Sequence, residues 1–570
     1  MMNIAMNKSY YHSTSSVPLV AATTGDMLDL FARKTPHKEA YIFPVEKIRL
    51  TFADLHRQVS ALATGFLCVG LKRGDTLGIL SSCAPEYILV QMAAATIGVI
   101  LARFHIALPN DKLKNSMLKS ECVALVIGTS DGDVYKRLGQ IIPDLKKSGS
   151  GILQTKELKL QQIITNVSAA QGRWKSIDQV MNIGDVDPEG GQKLLEETRK
   201  MVEFGDLYTV FYTSGTTGPS KGTLHTYLAN HNAYIMSADR FGWTTDDILL
   251  SANPSLSHCN SEIAHIVPVI LGMTSVIISP GANVRDTMTA IQDERCTVLF
   301  SGYRSLYNLL HHDNIDQYDY SSLHSILTGG TTLAPDFIKN ISTLFQAKVL
   351  IIYGSSETLC TSGRNVTLNE KEVIDTVGRP LGHTEVKIVN ENGRMVPFNT
   401  LGELLIRSNF IFCSYIQDEE KTKKAKSIDG WYKPGDIAKI NSNGYITIVG
   451  KTEDVIVKGG NKMYYAILLD YILSHPNVKA ACIVPVPDDE FQEDFCACVC
   501  LIEEATSSCC DELKDFYIRN NDTYNCIPKH VMIFDDFPEL PSGKIDQKSM
   551  SRDVFARLNL NEDWLEHRVQ

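Results

Sequence analysis

No run of about eighteen apolar residues, the length a membrane-spanning helix needs, occurs among the 570 residues of this chain. The longest candidate, ILVQMAAATIGVILA, contains Gln91 and stops at Arg103, so it reads as a buried helix followed by a strand and no membrane span is expected. An excess of basic charge is also missing. The 55 Lys and Arg residues stand against 66 Asp and Glu, a net charge of −11, which excludes broad nucleic-acid or anionic-membrane binding and leaves any phosphate chemistry to local basic residues. None of the fourteen cysteines has zinc-site spacing. Cys496, Cys498 and Cys500 alternate in DFCACVC, the pattern of one face of a buried strand, and the set as a whole fits a reducing compartment. Residues 1–20 lack acids and contain Lys8 but no arginine, a poor secretory signal and a weak transit peptide, which leaves an intracellular location open between mitochondrion and cytoplasm. Internal repeats and low-complexity segments are absent.

What is present is ordinary globular composition, 44% hydrophobic and 21% charged, at a length that suggests two or more domains. Apolar strand-like runs (TLGIL, VALVIG, SVIIS, TVLFSG, KVLIIYG) alternate with helical patterns such as APEYILVQMAAATIG. That alternation implies α/β architecture, parallel sheets wrapped by helices. Residues 150–205 are more polar and read as a surface excursion. From Gly378 onward short strands and Gly-rich turns suggest a small antiparallel barrel or sheet, and after Lys451 a smaller α+β pattern begins, with a helix near Tyr465–Ser474 and strands KAACIVPV and FCACVCLI. The expected division is an unstructured 1–25, a large domain at 26–452 and a small mobile domain at 453–570.

Residues 211–222, FYTSGTTGPSKG, run from an apolar strand into a loop of hydroxyls and glycines ending in Lys221. Gly215, Gly218 and Gly222 let backbone N–H groups converge on an anion, Ser214, Thr216 and Thr217 add hydroxyls, and Lys221 adds charge, together a triphosphate cradle. It is not the kinase and GTPase P-loop, whose lysine follows a glycine and precedes Ser or Thr. Downstream, KVLIIYG leads into Tyr353-Gly354-Ser355-Ser356-Glu357, placing a carboxylate suited to Mg2+ at the end of a parallel strand, where α/β ligand crevices lie. Asp436 follows a Pro-Gly turn in GWYKPGD and suits two vicinal ribose hydroxyls, and Lys544 in PSGKI sits on a flexible turn.

In order and spacing these segments resemble the adenylate-forming superfamily of acyl-CoA synthetases, coumarate-CoA ligases and firefly luciferase, from about Gly25 to the end of the sequence. Within it the chain looks most like the medium-chain fatty acyl-CoA ligases. The resemblance implies that ATP, with Mg2+, adenylates a hydrophobic carboxylic acid and that CoA then displaces AMP. It maps the ATP site onto Thr213 to Gly218, Lys221, Gly330, Tyr353, Gly354, Asp436 and Lys451. Catalysis falls to Lys544, Ser356 and Glu357, with Glu357 as the metal ligand. The acyl pocket falls to His258, Tyr303, Gly329 and Thr331, the CoA channel to Gly459-Gly460, and the hinge to Glu453.

This sequence departs from the family pattern at several points. Lys451 replaces the arginine that grips ribose, keeping charge but losing the planar fork, and Ser356 replaces a threonine. The segment from Gly460 to Leu469, GNKMYYAILL, lacks the family's glutamates, which bears on thioester formation. An adenylate-former with another acceptor, oxygen included as in luciferases, and a divergent nucleotide- or acyl-binding protein therefore stand as alternatives.

Overall fold

A computed structural model of the chain describes residues 7–128, 132–142, 158–166, 174–184, 186–213, 220–253, 255–330, 333, 335–366, 376–502, 510–519, 526–538 and 545–568. Four sheets organise them. The first joins eight strands. From Leu207–Tyr212 through Ile100–Arg103, Thr76–Ser81, Ala124–Gly128 and Gln162–Thr165 to Lys175–Ser176 they run parallel, and Gly222–Thr226 and Ser414–Tyr415 close one edge antiparallel. The second joins nine, parallel from Lys348–Tyr353 to Glu39–Phe43 and antiparallel at both edges. Continuous apolar runs explain the parallel cores: every residue of Ala124–Gly128 and all but the first of Thr76–Ser81 are buried, as strands covered on both faces require.

The main hydrophobic cluster fills the space between these sheets, joining Leu77 and Ile79 of the first to Tyr41, Leu249 and Leu327 of the second through the helices Ala84–Thr96, Tyr227–Phe241 and Glu262–Leu271. Ala84–Thr96 is buried at every position but Glu86; the expected helix-then-strand reading of that apolar run holds, and among the described residues no helix is long and apolar enough to cross a membrane. Sequence-local caps start the surface helices: Thr23 with Asp26, Thr51 with Asp54 and Asn283 with Asp286 each form a reciprocal capping box.

Two expectations change. Residues 1–25 are not all unstructured, because Tyr10–Ser13 pairs antiparallel with Thr384–Val389 as the edge of the third, five-stranded antiparallel sheet. The polar side chains there find partners: Ser9 Oγ donates to the Pro397 carbonyl (2.7 Å) and the Tyr10 hydroxyl to Glu385 (2.7 Å). The stretch 150–205 is likewise more than a surface excursion. Gln162–Thr165 and Lys175–Ser176 extend the first sheet, and helix Ile177–Gly184 packs so closely on Phe52–Cys68 that a Cβ on Gly65 would lie 2.1 Å from the Val180 carbonyl oxygen.

The fourth sheet is built only from residues from Ile456 onward. Its long hairpin, Val478–Asp488 with Gln492–Leu501, carries helix Tyr465–Leu473 on one face and Gln547–Arg557 on the other, giving two cores that share no residue with the rest of the chain. Cys496, Cys498 and Cys500 line one of them, buried as the alternation implied. The result is a large N-terminal α/β body followed by a smaller α+β unit.

Candidate active site

Strand Leu207–Tyr212 turns back into Gly222–Thr226 with Gly222 opposite Tyr212, and Thr213 pins the base of the intervening loop. Its amide donates to the Lys221 carbonyl (2.9 Å), its hydroxyl accepts from the Lys221 amide (3.1 Å), and Ser220 Oγ donates to its carbonyl (2.6 Å). Ser214, Gly215, Thr216, Thr217 and Gly218 lie outside the described residues. The exposed Lys221 ammonium sits 5.2 Å from the Tyr415 ring centroid, and the Tyr415 hydroxyl donates to Glu357 Oε1 (2.8 Å). The proposed phosphate charge and metal ligand thus flank one aromatic ring. Glu357 is buried, with one oxygen engaged, and a lone carboxylate beside a phosphate loop fits Mg2+, which takes one or two protein carboxylates and completes its shell with phosphate oxygens and water. Among the described residues no group of three or more His, Cys, Asp and Glu could hold a metal by itself.

The turn after Lys348–Tyr353 is shaped by Gly354, where a Cβ would meet the Leu359 carbonyl oxygen at 2.0 Å. Its next residues are fixed to the phosphate-loop hairpin, since the Ser356 carbonyl accepts from Thr223 Oγ1 (3.0 Å) and His225 Nε2 (2.7 Å). Burial pushes the His225 pKa down to about 4, so the ring is neutral and carries its proton on Nε2. Ser356 Oγ lies 3.6 Å from Cys259 Sγ.

Asp436, the carboxylate expected to suit two ribose hydroxyls, is buried with partners on both oxygens. Its Oδ2 accepts from the Tyr353 hydroxyl (2.5 Å), and its Oδ1 pairs with the Lys451 ammonium (2.8 Å), which also donates to the Pro434 carbonyl (3.1 Å). Burial, then the Asp436 charge, raises the Tyr353 phenol well above its ordinary pKa, keeping it a donor. Lys451 therefore holds the carboxylate in place, and ribose hydroxyls would use the lone pairs left over.

Beside these groups opens a small cleft. Gly330 and Gly354 are at the end nearest the turn, while Tyr234, Cys259, Asn260, Ile263, Phe300 and Leu327 make much of the wall. Gly330 has φ +84°, a left-handed backbone that favours glycine, and a Cβ on Gly329 would strike the Ile352 carbonyl oxygen at 2.2 Å, so close packing of strand ends demands glycine there. His258 does not line the pocket. It caps the short turn Cys259–Ser261, its Nδ1 accepting from the Asn260 amide (3.2 Å), and so presents Cys259 and Asn260. Tyr303 also lies outside it, 42% exposed and packed on Phe337 at the start of helix Tyr303–Leu310. Thr331 and Lys544 lie outside the described residues. Gly459 and Gly460, at φ +56° and +82°, make the exposed turn of hairpin Ile456–Met463, and Glu453 lies in the single turn Thr452–Asp454 between the last strand of the third sheet and the fourth.

A polar network beneath the site went unread in the sequence. Arg103, ending strand Ile100–Arg103, pairs with Glu262 (2.7 Å), both side chains wholly buried. Gln91 and the Tyr208 hydroxyl also donate to Glu262 (3.1 and 2.9 Å), Arg103 Nε donates to Thr209 Oγ1 (2.8 Å), and the guanidinium lies 4.8 Å from the Phe211 ring centroid. Burial opposes the Glu262 charge, yet Arg103 holds its pKa below the ordinary value. Through Tyr208 and Thr209 the network ties the strand that feeds the phosphate loop to the helix that follows Cys259–Ser261. Gln91 and Arg103 interrupting an apolar run were the available signal.

The sequence profile of the AMP-binding enzyme family matches residues 28–416, and that of its C-terminal domain matches 470–544. Curated relatives include the mitochondrial medium-chain acyl-CoA ligase ACSF2 of Bos taurus, 31% identical with 97% of this chain and 91% of the relative covered, and the putative acyl-CoA synthetase YngI of Bacillus subtilis, 27% identical with 95% and 99% covered. Among solved structures, ATP-bound MatB from Rhodopseudomonas palustris superposes with a TM-score of 0.77 at 20% identity, covering 94% of this chain and 100% of that one. The o-succinylbenzoate CoA synthetase MenE of Bacillus subtilis, bound to an acyl-adenylate, gives 0.74 at 22% over 93% and 98%. A profile match over most of the chain, with full-length relatives of the same two-part fold, places it: the chain belongs to the AMP-binding enzyme family and is an AMP-forming ligase.

Proposed function

We propose that this enzyme activates a hydrophobic, medium-chain fatty acid to its acyl-CoA through an acyl-adenylate, with ATP, Mg2+ and CoA as co-reactants. The observation that carries the reading is that Lys221 and Glu357 flank the Tyr415 ring while Ser356 and the Tyr353–Asp436–Lys451 set gather about the strand-end turn whose Gly354 lines the neighbouring pocket. In the first step the substrate carboxylate attacks the α-phosphorus and the bond to pyrophosphate breaks. Lys221 draws the phosphates to the loop, Ser356 Oγ donates to the α-phosphate, and Tyr353 and Asp436 orient the nucleoside. Mg2+ held by Glu357 would offset the charge of the departing pyrophosphate. Lys544 neutralises the charge that builds at the α-phosphate, a term worth about 3 to 4 kcal/mol for one preorganised donor. In the second step the CoA thiol attacks the acyl carbon and AMP leaves with the electron pair of the broken bond.

Only the first step needs Lys544, so the small unit, residues 453–570, turns about Glu453 relative to 26–452 and carries Gly459-Gly460 to the thiol channel. The ACSF2 relatives are named as mitochondrial, and a mitochondrial location is proposed here, to be checked by fractionation. The substrate class is tested by offering acids from acetate to palmitate, with aromatic acids alongside, and following pyrophosphate release and thioester by mass spectrometry. Preference for medium-chain acids supports the reading. Adenylation without thioester points to another acceptor, and no adenylation of any acid to a binding protein.

A further inference from the structure

The short helix Asp563–Arg568 lies beyond the matched C-terminal profile, which ends at residue 544. It is anchored in the small unit, Trp564 stacking on Phe555 (6.0 Å) and Leu565 packing on the Cys496–Cys500 core. From it Arg568, its side chain 10% exposed, reaches back to the segment that joins the two units. Nη1 donates to the Glu453 carbonyl (3.1 Å), Nη2 to the Val455 carbonyl (2.6 Å) and Nε to Glu493 Oε1 (2.8 Å), while Glu493 Oε2 accepts from the Val457 amide (2.8 Å). On the other side, the Thr452 amide is bonded to the Gly435 carbonyl of the large body (2.7 Å).

We propose that Arg568 is a positioning residue that latches the hinge in the orientation used for adenylation. A guanidinium presents its donors in a fixed plane, and this one is already oriented by Glu493. Rotation about Glu453 swings that residue's carbonyl relative to the small unit on which Arg568 rides, so the Glu453 and Val455 bonds are both kept in one orientation only. In that orientation the Gly459-Gly460 turn is exposed, the nearest atoms to a Cβ on Gly459 belong to Phe491 and none lie near Gly460, and on that exposure the orientation is assigned to adenylation, the step that does not use the turn. The latch rests on the proposed hinge.

The test measures the two half-reactions separately, pyrophosphate release without CoA and thioester formation from supplied acyl-adenylate, in wild type, Arg568→Ala, Arg568→Lys and Glu453→Pro. Arg568→Ala is expected to slow adenylation about three- to tenfold, the scale of one or two lost hydrogen bonds, while thioester formation is kept or quickened. Arg568→Lys, which keeps the charge toward Glu493 but not the fork, should behave like the alanine variant. Hydrogen exchange should quicken at the amides of residues 453–457 and stay unchanged in the second sheet, which a globally unfolded variant would not show. Rescue by lysine, or an unchanged ratio of the half-reactions in Arg568→Ala while Glu453→Pro still impairs thioester formation, overturns the latch alone. Normal thioester formation in Glu453→Pro overturns the hinge itself.

Discussion

Replacing Glu262 with glutamine removes one charge from a pair in which both side chains are wholly buried. The amide keeps the shape and can still accept from the Tyr208 hydroxyl, so the loss is mainly electrostatic, a guanidinium left without its counter-charge among Tyr87, Phe211 and Thr209. Breaking a buried pair from one side costs about 3 to 5 kcal/mol. Replacing both, Arg103→Met with Glu262→Leu, removes the stranded charge but leaves Gln91 and Tyr208 without their carboxylate, about 1 to 3 kcal/mol for each unmet group. The double variant should therefore be more stable than the summed losses of the single variants Arg103→Met and Glu262→Leu predict, by about 2 to 3 kcal/mol, at the upper end of couplings between contacting residues. Because Glu262 titrates below its ordinary value in the folded state, the wild-type advantage is present at neutral pH and is lost as pH falls through that folded value. Urea unfolding at neutral and acidic pH measures these quantities. A Glu262→Gln variant within about 0.5 kcal/mol of wild type, the range of ordinary surface changes, or strict additivity in the double variant, would refute the reasoning.

Burial, then Glu453, raises the Asp454 pKa to about 6, so the folded state binds that proton more tightly than the unfolded chain and the charged form costs stability above pH 6. Asp454→Asn should stabilise the protein at pH 7 by up to about 3 kcal/mol, a gain that fades toward pH 4 in thermal melts. Glu357→Gln keeps the side chain's shape but loses the charge that Mg2+ requires, so activity should fall and the Mg2+ concentration for half-activity should rise; a Mg2+ titration that overlays wild type makes Glu357 structural. Lys544→Ala should slow adenylation about a hundredfold or more and spare thioester formation from supplied acyl-adenylate, and equal loss in both assays would remove its assigned role.

Much of this was legible in the chain because it is local. Apolar runs bounded by glycines marked the parallel strands, and the hydroxyl-glycine loop with Lys221 marked the site before any fold was known. Alternation put Cys496, Cys498 and Cys500 on one buried face. What stayed hidden depends on how distant segments pack. Nothing near Asp436 in sequence announces that Tyr353 will donate to it, and nothing near Arg103 names Glu262, because ion pairs across layers leave no period to read. The resemblance alone gives Tyr303 to the acyl pocket, and its half-exposed setting beside Phe337 at the head of a helix depends on packing that the sequence does not show. Tyr10–Ser13 forms a strand only because Thr384–Val389 offers it an edge, and Arg568 meets the hinge only once the hairpin bearing Glu493 is folded.

The central claim is tested most directly by product stoichiometry in one reaction. Purified enzyme with ATP, Mg2+ and a medium-chain acid, first without CoA, should release pyrophosphate and hold an acyl-adenylate detectable by mass spectrometry. Adding CoA should then convert it to thioester with one AMP released for each thioester formed. Formation of ADP and phosphate in place of AMP and pyrophosphate, or AMP release that does not depend on the acid, would contradict the account.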